Sequence, residues 1–315
     1  MIFRLSIISL SLLLAGCISL DPDYQRPAAP VPSVWAAQGT QPAASDVLTD
    51  WQHIMTDARL NNVVERALTS NRDLQEAIAD IESARALYGE QRASLFPSAD
   101  AELSQTRSRT QDAGVSSSAT ADGAVSSFEI DLFGRNRSLS QAAKETWLAS
   151  ESTARNTRLT LIAETSTAWI TLAADNGNLK LAQDTMTSAA DSLRITQLRQ
   201  KEGVASGPDV SSSMAIYQQA RASVASYQTL VAQDINALNL LVGDTVPQNL
   251  LPGTLESLSP QAIALVPAGV SSSVLLRRPD VQEAEHNLKS ANADIGAARA
   301  NFFPSLSLTA SAGVG

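Results

Sequence analysis

No proline occurs between Ser98 and Gly207, and within that stretch apolar and small side chains keep a single period. Leu161, Thr165, Ala168, Leu172, Asp175, Leu179, Ala182, Met186, Ala189, Leu193 and Thr196 follow one another at alternating steps of four and three. That 3.5-residue spacing is the seam of a coiled coil. The spacing predicts one helix from Arg137 to Arg199, about 90 Å long at 1.5 Å per residue. Such a helix is several times longer than the typical globular one, which constrains the chain to an elongated helical architecture.

Two further seams flank it. Leu60, Val64, Ala67, Asn71, Leu74, Ile78, Ile81, Arg85 and Tyr88 predict a helix over 58–95. Val210, Met214, Tyr217, Arg221, Val224, Gln228, Val231, Ile235, Leu238 and Val242 predict another over 209–242. Each is about half the length of the long helix, so two short helices end to end would match one long one. Composition agrees with close helix packing. Aromatics are 4% of the 315 residues, and Ala, Leu, Val and Ile make up most of the apolar content.

Between the first two helices the period changes. Ala99, Ala101 and Leu103 alternate with Ser98, Asp100, Glu102 and Ser104, while Phe128, Ile130 and Leu132 alternate with Ser127, Glu129 and Asp131. Alternation of this kind predicts a hairpin over 98–133 with one apolar and one acidic or hydroxyl face. Residues 111–123, rich in Ser, Ala, Thr, Asp and Gly, read as its mobile loop. The apolar face would meet a core in a soluble sandwich, or lipid in a membrane barrel whose polar face lines water. In the second case Glu129 and Asp131 are lumen-facing.

The chain also repeats itself. Shifted by 207 residues, Leu68–Glu102 aligns without a gap on Leu275–Thr309, pairing Gln75 with Gln282, Glu76 with Glu283, Gly89 with Gly296 and Arg92 with Arg299. Phe96-Pro97-Ser98 falls on Phe303-Pro304-Ser305, at the same helix-to-strand corner in both copies. Such self-similarity signals a repeated structural unit. The second copy runs into a third alternating strand, Leu306, Leu308, Ala310, Ala312 and Val314, and stops at Gly315. The expectation is a two-repeat protein truncated at its C-terminus. Its parts are 1–17 leader, 18–57 proline-rich tether, 58–269 first repeat and 270–315 start of the second.

At the N-terminus, Arg4 precedes an apolar run from Leu5 to Leu14 that is too short to span a membrane and ends in Leu14-Ala15-Gly16-Cys17. The run resembles the leader and lipobox of bacterial lipoproteins, which makes Cys17 the candidate lipid attachment site. By resemblance to sorted lipoproteins, Ile18 rather than Asp after it favours the outer membrane. Pro22, Pro27, Pro30, Pro32 and Pro42 then predict an extended tether.

Several functions are excluded or disfavoured. A net charge of −9 without a basic stripe leaves nothing to neutralise nucleic-acid phosphates. One cysteine permits no internal disulfide and no cysteine-rich metal site, and His53 and His286 stand far apart. No nucleophile elbow, phosphate loop or metal-ligand cluster is present, so no catalytic, cofactor-binding or metal-binding residue is expected.

Taken in order, Leu14-Ala15-Gly16-Cys17, Pro22-Asp23-Tyr24-Gln25-Arg26-Pro27, Phe128 through Arg135, Gly203-Val204-Ala205-Ser206 with Asp209-Val210, and Arg278-Pro279-Asp280-Val281 through Leu308 cover nearly the whole chain. They resemble the TolC family of outer-membrane efflux proteins, in its OprM/NodT-like lipoprotein branch. The resemblance implies a mainly α fold with β: long antiparallel coiled-coil helices plus strands of a trimeric outer-membrane β-barrel. It implies a homotrimer whose subunits give four strands each to one 12-stranded barrel. It implies location in the cell outer membrane with extension into the periplasm. It also implies passive export of small molecules together with a periplasmic adaptor and an inner-membrane pump of the resistance-nodulation-division (RND) type. The family docks its adaptor at periplasmic helix tips, which here means Arg199, Lys201, Gly203, Val204, Ala205 and Ser206. For Ser206 with Asp209, helix capping alone is an equal reading. Asp175-Asn176-Gly177 interrupts the long helix with a glycine and reads as a local bend. Two alternatives remain: the channel of a type I protein secretion system, and a periplasmic coiled-coil scaffold lipoprotein.

Overall fold

The computed structural model describes residues 19–28, 30, 51–110, 114–258, 263 and 272–314. The helices are α1 (Trp51–Ile54), α2 (Ala58–Ser70), α3 (Arg72–Ala93), α4 (Arg135–Lys201), α5 (Gly207–Val242) and α6 (Pro279–Ala300). The strands are β1 (Ala99–Thr110) and β2 (Gly114–Glu129), between α3 and α4, and β3 (Ser307–Val314) after α6. The leader, Cys17 and most of the expected tether lie outside the described residues. Two compact units interleave along the chain. One holds Ile78–Ala154, the stretch from Leu275 onward and the segment 19–28; the other holds residues up to Ala77 from 51 and Arg155–Val274.

α4 runs unbroken for 67 residues, straight through Asp175-Asn176-Gly177. Its many hydroxyl residues do not break it, because they turn back on the helix. Thr185, Thr187, Ser188 and Thr196 each donate to the carbonyl four residues earlier, a partner that a mid-helix Ser or Thr reaches without unwinding its turn. Asn176 and Gly177 serve a contact rather than an interruption. Asn176 Nδ2 donates to the Pro252 carbonyl at 3.2 Å, and a Cβ at Gly177 would stand 3.2 Å from Glu256 Oε2. The small residue lets the Pro252–Ser257 segment lie against the helix.

The expected single helix over 58–95 is two helices. Asn71 separates them with an extended backbone, φ −62° and ψ 133°. Its Oδ1 accepts from Leu74 N at 2.9 Å, capping α3, while its Nδ2 donates to the Leu241 carbonyl at 2.9 Å. Asparagine offers the backbone this alternative to the helix more readily than other seam residues do. Gly243 closes the joint. Its φ is +75°, and a Cβ there would come within 2.6 Å of the Ser70 carbonyl oxygen.

The second unit has a conventional core. Leu60, Val63, Val64 and Ala67 of α2 pack with Leu161, Ile162, Trp169 and Leu172 of α4 and Leu238 and Val242 of α5. Burial follows the seams at Leu161, Thr165, Leu172, Ala182, Ala189 and Leu193. The largest fully buried side chain is Trp169, off the seam, whose Nε1 donates to the Leu250 carbonyl at 3.0 Å.

The first unit packs small against small. Ala142, Ala149, Ser138 and Ser152 of α4 and Ala293, Gly296, Ala297 and Ala300 of α6 are buried, and Ser138 and Gly296 make room for the segment around Asp21. Residues 19–28 adopt neither helix nor strand, as the prolines predict, but they are docked rather than free. Asp21 accepts from Ser138 Oγ at 2.5 Å, Asn292 Nδ2 donates to the Pro22 carbonyl at 2.7 Å, and Arg26 pairs with Glu285. His286 Nδ1 lies 2.7 Å from Glu145 Oε2, an ordinary helix-to-helix contact.

The three strands form one antiparallel sheet in the order β1-β2-β3. β2 begins at Gly114, so most of the segment read as a loop is strand. Hydroxyl ladders stand where the apolar signal is weak: Ser104 to Thr120 at 2.7 Å and Ser108 to Ser116 at 2.8 Å. A sheet face turned to water needs such pairs rather than a hydrophobic signal.

Candidate functional site

The sheet sorts its residues by face. β1 pairs with β2 from Ala99↔Val125 to Thr110↔Gly114 without a slip, so alternate residues share a face throughout. Ala99, Ala101, Leu103, Ala119, Ala121, Gly123 and Val125 lie on one side. β3 extends this side with Ala310, Ala312 and Val314. Leu103 is 85% exposed and Val314 76%, so the described chain does not cover this apolar face. The other side carries Asp100, Glu102 and Asp122 with Ser104, Thr106, Ser108, Ser116, Ser118 and Thr120. A register shift between Val125 and Phe128 keeps Phe128 opposite Leu308 and Glu129 opposite Ser307. Phe128 therefore stays on the apolar side and Glu129 on the polar side.

Glu129 and Asp131 are both taken by arginines. Arg135 Nη1 reaches Glu129 Oε2 at 3.1 Å, and its Nε donates to Asn301 Oδ1 at 2.9 Å. Asp131, beyond the end of β2, accepts from the Arg137 backbone N–H at 3.0 Å and pairs with its Nε at 3.3 Å. Asp131 thus sits at the first turn of α4, where a carboxylate meets free N–H groups and the positive helix end. The ring of Phe133 stacks on Phe303 with centroids 4.4 Å apart. Arginines fix the strand-to-helix corner, a role for Phe128 through Arg135 that strand alternation alone does not reveal.

The second candidate region is the α4–α5 turn. Arg199 and Lys201 end α4. Gly203 has φ +73°; its N–H donates to the Gln200 carbonyl at 3.0 Å and the Val204 N–H to the Arg199 carbonyl at 2.8 Å, a Schellman closure. Ser206 and Asp209 form a reciprocal capping box, with Ser206 N to Asp209 Oδ2 at 2.8 Å. Hydrogen bonds from the Ser206 hydroxyl and N–H, and then the Arg199 charge, hold the Asp209 carboxyl below its usual range. With the turn closed internally, Val204 is left pointing out, 65% exposed, and Leu198 is 49% exposed.

Among the described residues no helix is long and apolar enough to cross a membrane. Long paired helices combined with a two-faced antiparallel meander define a TolC-like outer-membrane channel fold. A family model described as outer membrane efflux protein matches residues 63–244 and 270–315. The probable efflux pump outer membrane protein TtgC of Pseudomonas putida is 42% identical over 323 residues, covering 98% of this chain and 66% of that protein. The crystal structure of a membrane protein from Pseudomonas aeruginosa is 36% identical with a TM-score of 0.79, over 94% of this chain and 68% of that one. The open state of the Neisseria gonorrhoeae MtrE outer membrane channel is 31% identical with a TM-score of 0.78, over 93% and 66%. The chain belongs to the outer membrane efflux protein family. It spans 66% of the length of the curated relatives it matches.

Proposed function

We propose that this chain is the outer-membrane channel subunit of a tripartite efflux system. Three full-length subunits, each giving four strands of which this sheet supplies three, close a 12-stranded barrel, apolar face to lipid and polar face to a water-filled lumen. Small molecules leave the periplasm passively through it. The observation that carries this reading is the sorting of the sheet, with exposed Leu103 and Val314 on one side and Glu102 and Asp122 on the other. Open sheet edges are excluded from hydrocarbon, so strands with such faces need neighbours to complete a barrel. Exposed Ile78, Leu181, Ile216 and Leu240 on the helices are natural subunit contacts within a trimer. Cys17 carries the lipid anchor, residues 18–57 tether it, and 58–269 and 270–315 belong to successive repeats. Arg199, Lys201, Gly203, Val204, Ala205 and Ser206 face a periplasmic adaptor that links the channel to an RND-type inner-membrane pump.

The test is accumulation of a fluorescent efflux substrate in a host stripped of its other efflux channels. The full-length protein should lower accumulation. Val204→Asp, which leaves the turn's hydrogen bonds in place, should reach the outer membrane yet fail to lower it. Accumulation unchanged by the full-length protein contradicts the function, and full activity of Val204→Asp contradicts the docking role of the tip. For the anchor, Cys17→Ser should abolish labelling with a fatty-acid analogue; persistent labelling contradicts it.

A further inference from the structure

The hairpin segregates its charges more completely than its apolar groups, since Ala124 shares the polar face with Asp100. Among its described residues, all four acids, Asp100, Glu102, Asp122 and Glu129, lie on the polar face. Both arginines, Arg107 and Arg109, lie on the opposite face, in line with Ala99, Ala101 and Leu103. Their cross-strand partners are Ser117 and Val115, and both arginines are exposed. In a chain of net charge −9, a face that carries cations and no acids is not a solvated surface of average composition.

Position along the strand says what these cations meet. From Ala99 to Arg109 is about 33 Å at 3.3 Å per residue, or about 25 Å along the membrane normal at the usual barrel tilt. That is the height of the apolar band of an outer-membrane barrel. Ala99 adjoins the helical end of the sheet, so Arg109 sits at the far rim of the band and Arg107 just inside it. An arginine at the bilayer midplane is strongly disfavoured, whereas one at the rim is tolerated and reaches the headgroups. Two planar forks on one strand face, two residues and about 7 Å apart, match anionic oxygens in bidentate fashion.

We propose that Arg107 and Arg109 form a binding site for the phosphate groups of a phosphorylated glycolipid in the outer leaflet, at the outer rim of the sheet's apolar face. The inference rests on the lipid-facing reading of that face. It adds a specific lipid partner and ties the hairpin's register to the membrane boundary.

The experiment uses the full-length protein purified from outer membranes and native mass spectrometry with two probes, lipid A bearing both phosphates and the same lipid dephosphorylated. The wild type should retain the phosphorylated form in preference. Arg107→Gln with Arg109→Gln should lower that preference about tenfold, the scale of losing one or two charge-assisted hydrogen bonds. Arg107→Lys with Arg109→Lys, which keeps charge but not the fork, should fall between. No preference in the wild type, or an undiminished one in the glutamine variant, overturns the site. A spin label at Leu103→Cys distinguishes lipid exposure of the face from binding of the glycolipid. Oxygen-accessible, lipid-like labels alongside a failed preference overturn only this inference; water-exposed labels overturn the lipid-facing reading with it.

Discussion

Glu102 and Asp122 stand directly opposite one another across the β1–β2 pair, on the face that also carries Asp100. Like charges in register are disfavoured by up to about 1 kcal/mol, and burying them unpaired in a sandwich core would cost far more. A water-filled lumen removes the burial penalty and turns the pair into a source of negative potential that favours cations. Replacing both with Gln and Asn should therefore reduce cation preference, moving the reversal potential in a salt gradient across a planar bilayer toward zero. Thermal stability should hold or rise slightly. An unchanged reversal potential together with lost stability would place the pair in a structural rather than a lumenal role.

Trp169 is the anchor of the second unit. It is fully buried, its indole N–H meets the Leu250 carbonyl, and Arg59 lies over its ring at 5.4 Å. Trp169→Ala should destabilise by about 3–5 kcal/mol, the cost of a large aromatic cavity. Trp169→Phe should cost less, since it keeps most of the volume and orphans only the Leu250 carbonyl. Thermal melting of the full-length protein orders the two variants; equal loss from both would locate the effect in the hydrogen bond alone.

A pH effect is expected at Asp234 on α5. Burial, and then the neighbouring Asp175 carboxyl, push its pKa above the ordinary Asp value. Its Oδ2 is buried without a hydrogen-bond partner. A raised carboxyl pKa means that the folded state binds the proton more tightly than the unfolded one. Stability from this group is thus full below the ordinary Asp pKa and declines as pH rises through the raised value. Asp234→Asn should raise the melting temperature near neutral pH and have little effect in acid. A uniform shift at both pH values would show that ionisation of Asp234 is not the cause.

The two copies of the repeat make a matched pair of glycines. A Cβ at Gly296 would collide with Asp21 in the docked N-terminal segment, 2.9 Å from its Cα, whereas Gly89 has nothing within 4 Å. Gly296→Ala should free residues 19–28 to hydrogen exchange and proteolysis. Gly89→Ala should be neutral or stabilise by about 0.5–1 kcal/mol through helix propensity. Equal protection of the segment in both variants would contradict its docked position.

Much of this architecture is legible in periodicity, because long helices and two-faced strands write it plainly: α4 and β3 lie where their spacing puts them. What escaped has local causes. Asn71 fits a helical seam by position, yet its amide finds partners at Leu74 and Leu241 that only the folded chain supplies. Residues 114–123 carry only a weak alternation, because Ala119, Ala121 and Gly123 are small and the opposite face is hydroxyls that pair across the strands. Asp175-Asn176-Gly177 looks like a break and is a docking face, since the chain that needs it lies some 75 residues further on, at Pro252. At the α4–α5 turn, the Ser206–Asp209 box was readable as a motif, and the exposure of Val204 follows from the turn it closes.

In this reading the sheet separates lipid from water. Single cysteines placed in turn from Ala99 to Thr106 of the full-length protein and reacted in intact outer membranes with a water-soluble maleimide test this separation, the acylated Cys17 thiol being blocked. Strong labelling is expected at Asp100, Glu102, Ser104 and Thr106, and weak labelling at Ala99, Ala101, Leu103 and Gln105, with labels at the latter four quenched instead by lipid-borne probes. Uniform labelling of both sets, or protection of both from water and lipid alike, would contradict it.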